Sequence, residues 1–280
     1  MPNRQIAAWI IGTALTLSRN SQFGIDPGFI DAEEPGETLE KIIILGDETM
    51  GNELETAFER IEQLLYSCEN GTNLDLAETA LTKIKNEANS PQVLAKVYGK
   101  LAQVENYRYE YVSSGEKLAV AEKGVNLAKK GLEYDENNVD ANSWAAAMMG
   151  IHGMEMGILS SLFYLGPVKK HAEKALQLDE SYHYGQPHII LGELYRLSPP
   201  SPVGMRNLNK ALEHLRRSVE LGPEDPQARF HLAELYINLR RKELAFKELE
   251  TLLSQDIQVR GPVYAENWKA KAGKLREKLA

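Results

Sequence analysis

Apolar residues recur at helical spacing along most of this chain, and one arrangement of them occurs twice. Leu191–Tyr195 and Leu232–Tyr236 each contain a leucine, then a small residue, then a tyrosine three positions later. Residues three to four apart share one face of an α-helix, so each stretch predicts a helix with one packed face. A second helical pattern with a small residue, Ala211 or Ala245, follows each of them. The sequence therefore predicts two consecutive helix pairs.

The spacing of the two copies identifies the type of helix pair. Gly192 and Ala233 are 41 residues apart, and the first copy holds seven more residues than the second between its leucine and its alanine. Without those seven residues the period is 34, the length of a tetratricopeptide repeat. The copies meet at Leu221–Pro226, where Asp225 is placed to cap the next helix.

Weaker copies of the repeat extend the pattern toward the N-terminus. Lys174–Asp179 and Lys130–Asn138 resemble the end of a repeat's second helix, and Pro262–Leu279 has a helical apolar stripe that suits a cap. We predict an all-α fold, a tetratricopeptide-like helical-repeat solenoid with degenerate repeats and a C-terminal capping helix. The predicted divisions are an N-terminal apolar segment and irregular extension (1–37), the repeat domain (38–261) and the capping helix (262–280).

The N-terminal segment permits two interpretations. Ile6–Leu17 is an apolar run of 12 residues after Arg4, which is too short to span a bilayer. It resembles the start of a secretory signal, or it forms an amphipathic helix packed on the repeats. Phe23–Glu37 contains glycines, prolines and acids and predicts an irregular linker. The cellular location therefore stays open, and an exported, periplasmic protein is favoured over a cytoplasmic one.

Composition and motifs point to binding and away from catalysis. The net charge of −8 argues against a nucleic-acid partner. The single cysteine rules out an intrachain disulfide and a cysteine zinc cluster. The sequence contains no phosphate-binding loop, nucleophile elbow or zinc-protease motif, and its six histidines lack metal-binding spacing. We therefore predict a non-enzymatic binding or assembly module without a cofactor or metal.

The first helix of each repeat should line the concave face of the solenoid. Side chains offset from the leucine–tyrosine stripe are expected to form a groove for a partner or ligand. The predicted groove residues are Asn142, Met149, His152, Gln186, Ile189, Glu193, Arg196, Gln227, Phe230, Glu234 and Asn238. This set lacks the lysine–asparagine clamp with which some repeat domains bind a peptide carboxyl terminus, which disfavours that kind of ligand.

An apolar, methionine-bearing segment, Gly150–Gly166, stands between the helices of one predicted repeat. Methionine adapts to varied ligands, so the segment predicts an apolar pocket wall. The residues concerned are Met148, Met154, Met156, Leu162 and Phe163. The alternative is a pair of longer helices with a thicker core. The proline-rich stretch Leu197–Gly204 predicts a stiff connector, with a partner site as the alternative.

Some of these residues resemble a known family. The run Gly185–Tyr195, with the Pro199–Pro200 loop after it, resembles the T-component proteins of TRAP transporters, and the similarity covers roughly residues 95–253. The chain lacks the lipobox cysteine, and Gln186 stands where that family more often has glycine. The degenerate repeats with a proline insertion resemble, more weakly, the microtubule-dynamics regulator family.

The stronger resemblance implies a periplasmic partner of a solute-binding protein, with an apolar pocket for a small apolar or organic acid ligand. The alternative function is a scaffold subunit of a larger complex that uses the N-terminal extension as an arm. A homo-oligomer is compatible with both.

Overall fold

The computed structural model describes residues 50–68 and 71–279, and all regular secondary structure within these residues is α-helical. The predicted N-terminal apolar segment and linker lie outside the described residues. The helices are α1 (Met50–Tyr66), α2 (Thr72–Glu87), α3 (Pro91–Tyr111), α4 (Lys117–Tyr134), α5 (Val139–Glu155), α6 (Ile158–Leu178), α7 (Tyr182–Leu197), α8 (Leu208–Leu221), α9 (Pro226–Asn238), α10 (Lys242–Ser254) and α11 (Gly261–Leu279).

Successive helices pack against one another as antiparallel pairs, as the repeat pattern predicts. A Cβ atom on Gly192 of α7 would lie 2.6 Å from Leu215 Cγ of α8, so the small residue allows these two helices to approach closely. Gly99 has the same role between α3 and α5, where a Cβ would lie 2.7 Å from Ala141 N. The packed faces form a series of apolar cores along the stack.

The turn before α9 confirms the predicted cap. Asp225 accepts a hydrogen bond from Gln227 N at 2.8 Å, and Pro226 occupies the first turn of the helix. A carboxylate at this position satisfies a backbone N–H that has no partner within the helix.

The apolar segment Gly150–Gly166 belongs to two long helices. α5 continues to Glu155 and α6 begins at Ile158, so only two residues separate them. The structure therefore has the longer helices of the second interpretation.

The C-terminal helix does more than cap the last repeat. α11 packs on α9 and α10, and it also contacts α1 at the other end of the stack. Trp268 of α11 is 1% exposed, in a core with Phe230 and Leu249. Among the described helices, α11 therefore touches both the last repeat and the first helix, and it lies along the concave side.

Candidate partner-binding cavity

The concave side encloses a cavity of about 630 Å³, which lies within the range of ligand pockets, about 300–1,000 Å³. Its lining comes mainly from α1, α3, α5, α7, α9 and α11, with Lys117 at the start of α4 and Arg260 in the loop before α11, so residues distant in sequence meet there. The larger apolar side chains of the wall are Tyr66, Tyr107, Trp144, Ile189, Tyr264 and Trp268. Flat aromatic surfaces of this kind suit contacts with a peptide or another apolar group.

Polar groups are placed among these rings. Asn106, Gln227 and Asn267 line the cavity with Gln186. The Oε1 atom of Gln186 is buried and has no hydrogen-bond partner among the described residues. A buried carbonyl oxygen without a partner is costly, so the surrounding structure must hold Gln186 in this position.

An unusual turn at the start of α7 delivers Gln186 to the cavity. His183, Tyr184 and Gly185 all have left-handed backbone angles, with φ of 46°, 62° and 80°. For residues other than glycine this conformation costs about 1–3 kcal/mol each and needs support from the surrounding structure. His183 supplies part of that support, since its Nε2 lies 3.1 Å from Glu62 Oε1 on α1.

Arg260 contacts both α1 and α11 beside the cavity. Its guanidinium lies 5.0–5.5 Å from the ring centroids of Tyr66, Tyr184 and Tyr264, a distance at which a cation is attracted to aromatic faces. Its Nη2 lies 3.0 Å from Asp225 Oδ2. Burial acts to lower the pKa of Arg260, but the Asp225 carboxylate and the surrounding tyrosines together outweigh it and hold the pKa well above its usual value.

Arg260 also holds the left-handed turn. Its Nη2 donates a hydrogen bond of 2.8 Å to the backbone oxygen of His183. One side chain therefore links α1, the α7 turn, the α9 cap and the start of α11. We call the residues Tyr66, Tyr184, Asp225, Arg260 and Tyr264 the arginine latch.

A second buried ionic group lies behind the cavity wall. Lys100 Nζ on α3 is 2.9 Å from Asp140 Oδ1 and also contacts the Glu62 carboxylate. Tyr182 donates to Asp140 Oδ1 at 2.8 Å, and Trp144 Nε1 donates to the Tyr182 hydroxyl at 3.1 Å. The network fixes α1, α3, α5 and α7 relative to one another, so it sets the shape of the wall.

A third ionic group joins α7 to α9. Arg196 binds both carboxylate oxygens of Glu193 at 2.7 and 2.6 Å, and its Nη2 lies 3.2 Å from Glu234. His231 Nδ1 lies 3.3 Å from Glu234 and 3.4 Å from Glu193. Burial acts to lower the pKa of His231, yet the two carboxylates raise it to about 9.

This third group has the composition of a metal site but the chemistry of an ion-pair network. Glu193, His231 and Glu234 offer three ligand atoms within 4.8 Å of one another. At neutral pH, however, the imidazole with a pKa of about 9 is protonated, and a metal needs it neutral. Arg196 already uses the Glu193 carboxylate.

The raised pKa of His231 has a consequence for stability. A group whose pKa is raised on folding contributes stability in full below its unfolded value of about 6.5, and loses it as pH rises through about 9. The shift corresponds to a contribution on the order of 3 kcal/mol. We expect the difference in unfolding free energy between the wild type and His231→Gln to shrink by that amount between pH 6 and pH 10.

Urea unfolding at several pH values measures this difference. Lys271, whose pKa burial lowers to about 8, acts in the opposite direction, but it is common to both proteins and cancels. A difference that stays constant with pH would contradict the assigned charge on His231.

The structure brings four of the predicted groove residues to the cavity: Gln186, Ile189, Glu193 and Gln227. The others lie outside its wall. Arg196 and Glu234 belong to the third ionic group, where Asn238 accepts from Arg196 at 3.1 Å. Phe230 packs against the Trp268 ring, with 5.3 Å between centroids.

The predicted groove residues of α5 have local partners. Asn142 donates to the backbone oxygens of Glu136 and Asn138. Met149 is buried in the core. His152 Nδ1 lies 2.7 Å from the Tyr164 hydroxyl. These contacts hold α5 to its neighbouring chain segments.

The five residues of the predicted apolar pocket do not lie together on the cavity wall. Met148 is completely buried in the core, and Met154 and Leu162 are half-buried. Met156 is 50% exposed and Phe163 is 80% exposed. A ligand role for these residues stays a prediction.

Sequence reasoning missed the contribution of α11 and the loop before it. Arg260, Trp268, Lys271 and Lys274 all line the cavity. The available signal was the alternation of lysines with apolar residues along Lys269–Lys278, which is equally typical of a solvated helix face.

The described residues include no helix that is both long and apolar enough to cross a bilayer.

Comparisons with known proteins agree with the fold and with the weaker of the two resemblances. The family model described as regulator of microtubule dynamics protein 1-3 matches residues 58–194. Regulator of microtubule dynamics protein 1 from Pongo abelii is 24% identical over 205 residues, which are 67% of this chain and 62% of that protein. The chain therefore spans about three fifths of the length of this curated relative.

Solved structures are similar in fold. The crystal structure of TTC0263, a thermophilic TPR protein in Thermus thermophilus, has a TM-score of 0.56 and 18% identity, and the match covers 77% of this chain and 96% of that one. Yeast Tom70 matches with a TM-score of 0.32 and 13% identity, over 98% of this chain and 69% of that one, which is too distant to support an argument.

The predicted TRAP transporter T-component relationship is not supported, and neither is the periplasmic transporter role that followed from it. The residues behind that prediction, Gly185–Tyr195, match the general helix-pair pattern, which packing alone explains. This chain has a tetratricopeptide-like repeat fold and is similar to the regulators of microtubule dynamics.

Proposed function

We propose that this protein is a non-catalytic binding module whose concave cavity takes an extended segment of a partner protein. The cavity itself carries the proposal, because it combines aromatic walls with the polar side chains of Asn106, Gln227 and Asn267. Interior polar groups of this kind fix the orientation of a bound chain while the rings supply contact area. The tetratricopeptide-like fold supports a protein partner, since such solenoids present extended concave binding surfaces.

Two titratable groups of the cavity, Glu193 and His231, are held by their ion pairs away from acid–base chemistry. A general acid or base works best with a pKa near the operating pH. Burial acts to raise the pKa of Glu193, but Arg196 and His231 lower it to about 2, and His231 itself has a pKa of about 9. Both groups are thus held in their charged forms near neutral pH.

Blocking the cavity tests the proposal. Ala270 is an exposed residue of α11 that lines the cavity, so Ala270→Phe fills space without removing a core contact. Ala119, exposed on α4 outside this cavity, gives Ala119→Phe as a matched control. We expect heptapeptides selected from a random library by affinity mass spectrometry to bind Ala270→Phe at least about tenfold more weakly than wild type.

The control should bind as the wild type does, and equal melting temperatures would establish that both variants fold. Intrinsic fluorescence provides the binding signal, because Trp144 and Trp268 both line the cavity. Equal affinity of Ala270→Phe and Ala119→Phe for the selected peptides would overturn the proposal.

A further inference from the structure

The charge of the cavity is opposite in sign to that of the whole protein. The chain carries a net charge of −8. The cavity wall contains Lys117, Arg260, Lys271 and Lys274, against the carboxylates of Glu110 and Glu193. The wall is therefore cationic before His231 is counted.

Ion pairs with residues outside the wall leave this excess unchanged. Arg260 lies against Asp225 and Glu193 against Arg196, so these charges are balanced by partners 2.6–3.0 Å away. The other formal charges of the wall are three lysines and the carboxylate of Glu110, which acts on Lys271. Two of the three lysines, Lys271 and Lys274, are one helical turn apart on α11 and so share a face.

Aromatic rings keep two of these ammonium groups near apolar surface. Lys117 Nζ lies 4.1 Å from the Tyr109 ring centroid, and Lys271 Nζ lies 4.4 Å from that of Trp268. Partial removal from water makes an ammonium a stronger partner for an anion. Burial lowers the pKa of Lys271 to about 8, although Glu110 and Glu234 act to raise it.

We infer that the partner segment is acidic, with a carboxylate side chain that binds between Lys271 and Lys274 of α11 while its apolar neighbours contact the rings. This inference rests on the proposed function and names the chemistry of its ligand. It also explains how a protein of net charge −8 takes up a negatively charged segment, because the favourable field is confined to the cavity.

Two matched heptapeptide libraries test the inference. One contains Asp and Glu at random positions among apolar residues, and the other has Asn and Gln in their place. We expect affinity selection to retain acidic peptides preferentially, and the retained peptides to bind more weakly as salt is raised. Lys271→Met should weaken their binding about tenfold or more, since a charge-assisted hydrogen bond is lost.

Lys274→Gln supplies a variant that leaves the fold intact, because Lys274 is exposed. It should weaken acidic peptides by about two- to fivefold and leave the amide peptides unchanged. Lys278→Gln is the matched control, since Lys278 is an exposed lysine of the same helix outside the cavity wall. It changes the net charge equally and should have no effect on either library.

Proton uptake gives an independent readout. Near pH 8, about half of Lys271 is protonated, so a bound carboxylate should raise its pKa and draw in part of a proton. Calorimetry in buffers of different ionisation enthalpy measures this uptake, which Lys271→Met should abolish. Glu110 and Glu234 act on Lys271, and the wall also contains Lys117, Glu193, His231 and Lys274, with several tyrosines.

Equal retention of the two libraries would overturn the inference and leave the proposed function standing. Retention of neither library, with an anionic amphiphile such as dodecanoate bound instead, would overturn both.

Discussion

Replacing Arg260 by leucine is expected to lower the free energy of unfolding by about 3–5 kcal/mol, the usual cost of removing one member of a buried ion pair. The Arg260 side chain is 6% exposed and that of its partner Asp225 is completely buried. The change leaves the Asp225 carboxylate uncompensated and removes the hydrogen bond to His183. Urea denaturation followed by circular dichroism measures the loss.

Arg240→Leu is the matched control for this experiment. Arg240 is an exposed arginine with φ of 57°, close to the 60° of Arg260, so the substitution and the backbone region are the same. A surface change of this kind should alter stability by no more than about 0.5 kcal/mol. If Arg260→Leu were as stable as Arg240→Leu, the arginine latch would have no structural role.

The Arg260→Leu variant should also lose its affinity for peptides. The arginine latch joins α1, α7 and α11 around the cavity, so without it these helices are no longer held in fixed positions relative to one another. The variant is expected to show faster hydrogen exchange in α11 and in the α7 turn, because these segments lose contacts that restrain local opening.

The second large effect is expected for Lys100→Met, again about 3–5 kcal/mol. Lys100 is 4% exposed between Glu62 and Asp140, so its removal leaves two carboxylates close together within the structure. In the wild type, burial acts to raise the pKa of Glu62, but the His183 hydrogen bond and the Lys100 charge outweigh it and lower the pKa. In the variant the Lys100 contribution is gone.

The pH dependence of this difference has a definite sign. The wild-type contribution of Glu62 is present above pH 4.5 and is lost as pH falls below that value. In the variant the pKa of Glu62 is lowered less, so less stability depends on keeping this carboxylate charged. The difference between the two proteins should therefore be smaller at pH 3 than at pH 7.

Lys96→Met provides the comparison for Lys100→Met. Lys96 lies one turn earlier on α3 and pairs with Glu55 at 2.7 Å, but the Glu55 side chain is 61% exposed. An exposed pair contributes about 0–1 kcal/mol, so this variant should be nearly as stable as the wild type. Equal losses for Lys96→Met and Lys100→Met would show that burial of the Lys100 network does not matter.

The repeat architecture could be predicted because packing imposes it locally. Position 192 needs a small residue because Leu215 lies against it. Asp225 precedes a proline because the next helix needs a cap. Such requirements recur in every repeat, so small residues and capping residues recur in the sequence at a regular spacing.

The cavity could be predicted only in part. Gln186 and Ile189 follow from the geometry of a first helix, and the structure places both on the wall. The contact between α11 and α1 depends on how far each helix pair is rotated relative to the one before it. A local sequence pattern does not reveal this total rotation. The sequence alone therefore does not distinguish Arg260 from other loop residues, or Lys271 from the solvated lysines of the same helix.

The buried charges could not be predicted from the sequence for a related reason. Lys100 stands at a helical position where a polar residue predicts solvent exposure, yet α1, α5 and α7 enclose it. Its partners Glu62 and Asp140 are 38 and 40 residues away along the chain, so their meeting depends on tertiary structure. The left-handed turn at His183 has the same dependence, since it is held by Glu62 on α1.

The central claim is that a partner segment binds inside the cavity, and mapped photo-crosslinking tests it most directly. A peptide selected from the library would carry a benzophenone side chain, and mass spectrometry would identify the residues it labels. We expect adducts on both α3 and α11, at cavity-wall positions such as Asn106 and Asn267. Adducts confined to the exposed surface of α6 around Leu159 and Phe163 would contradict the claim and move the binding site to that surface.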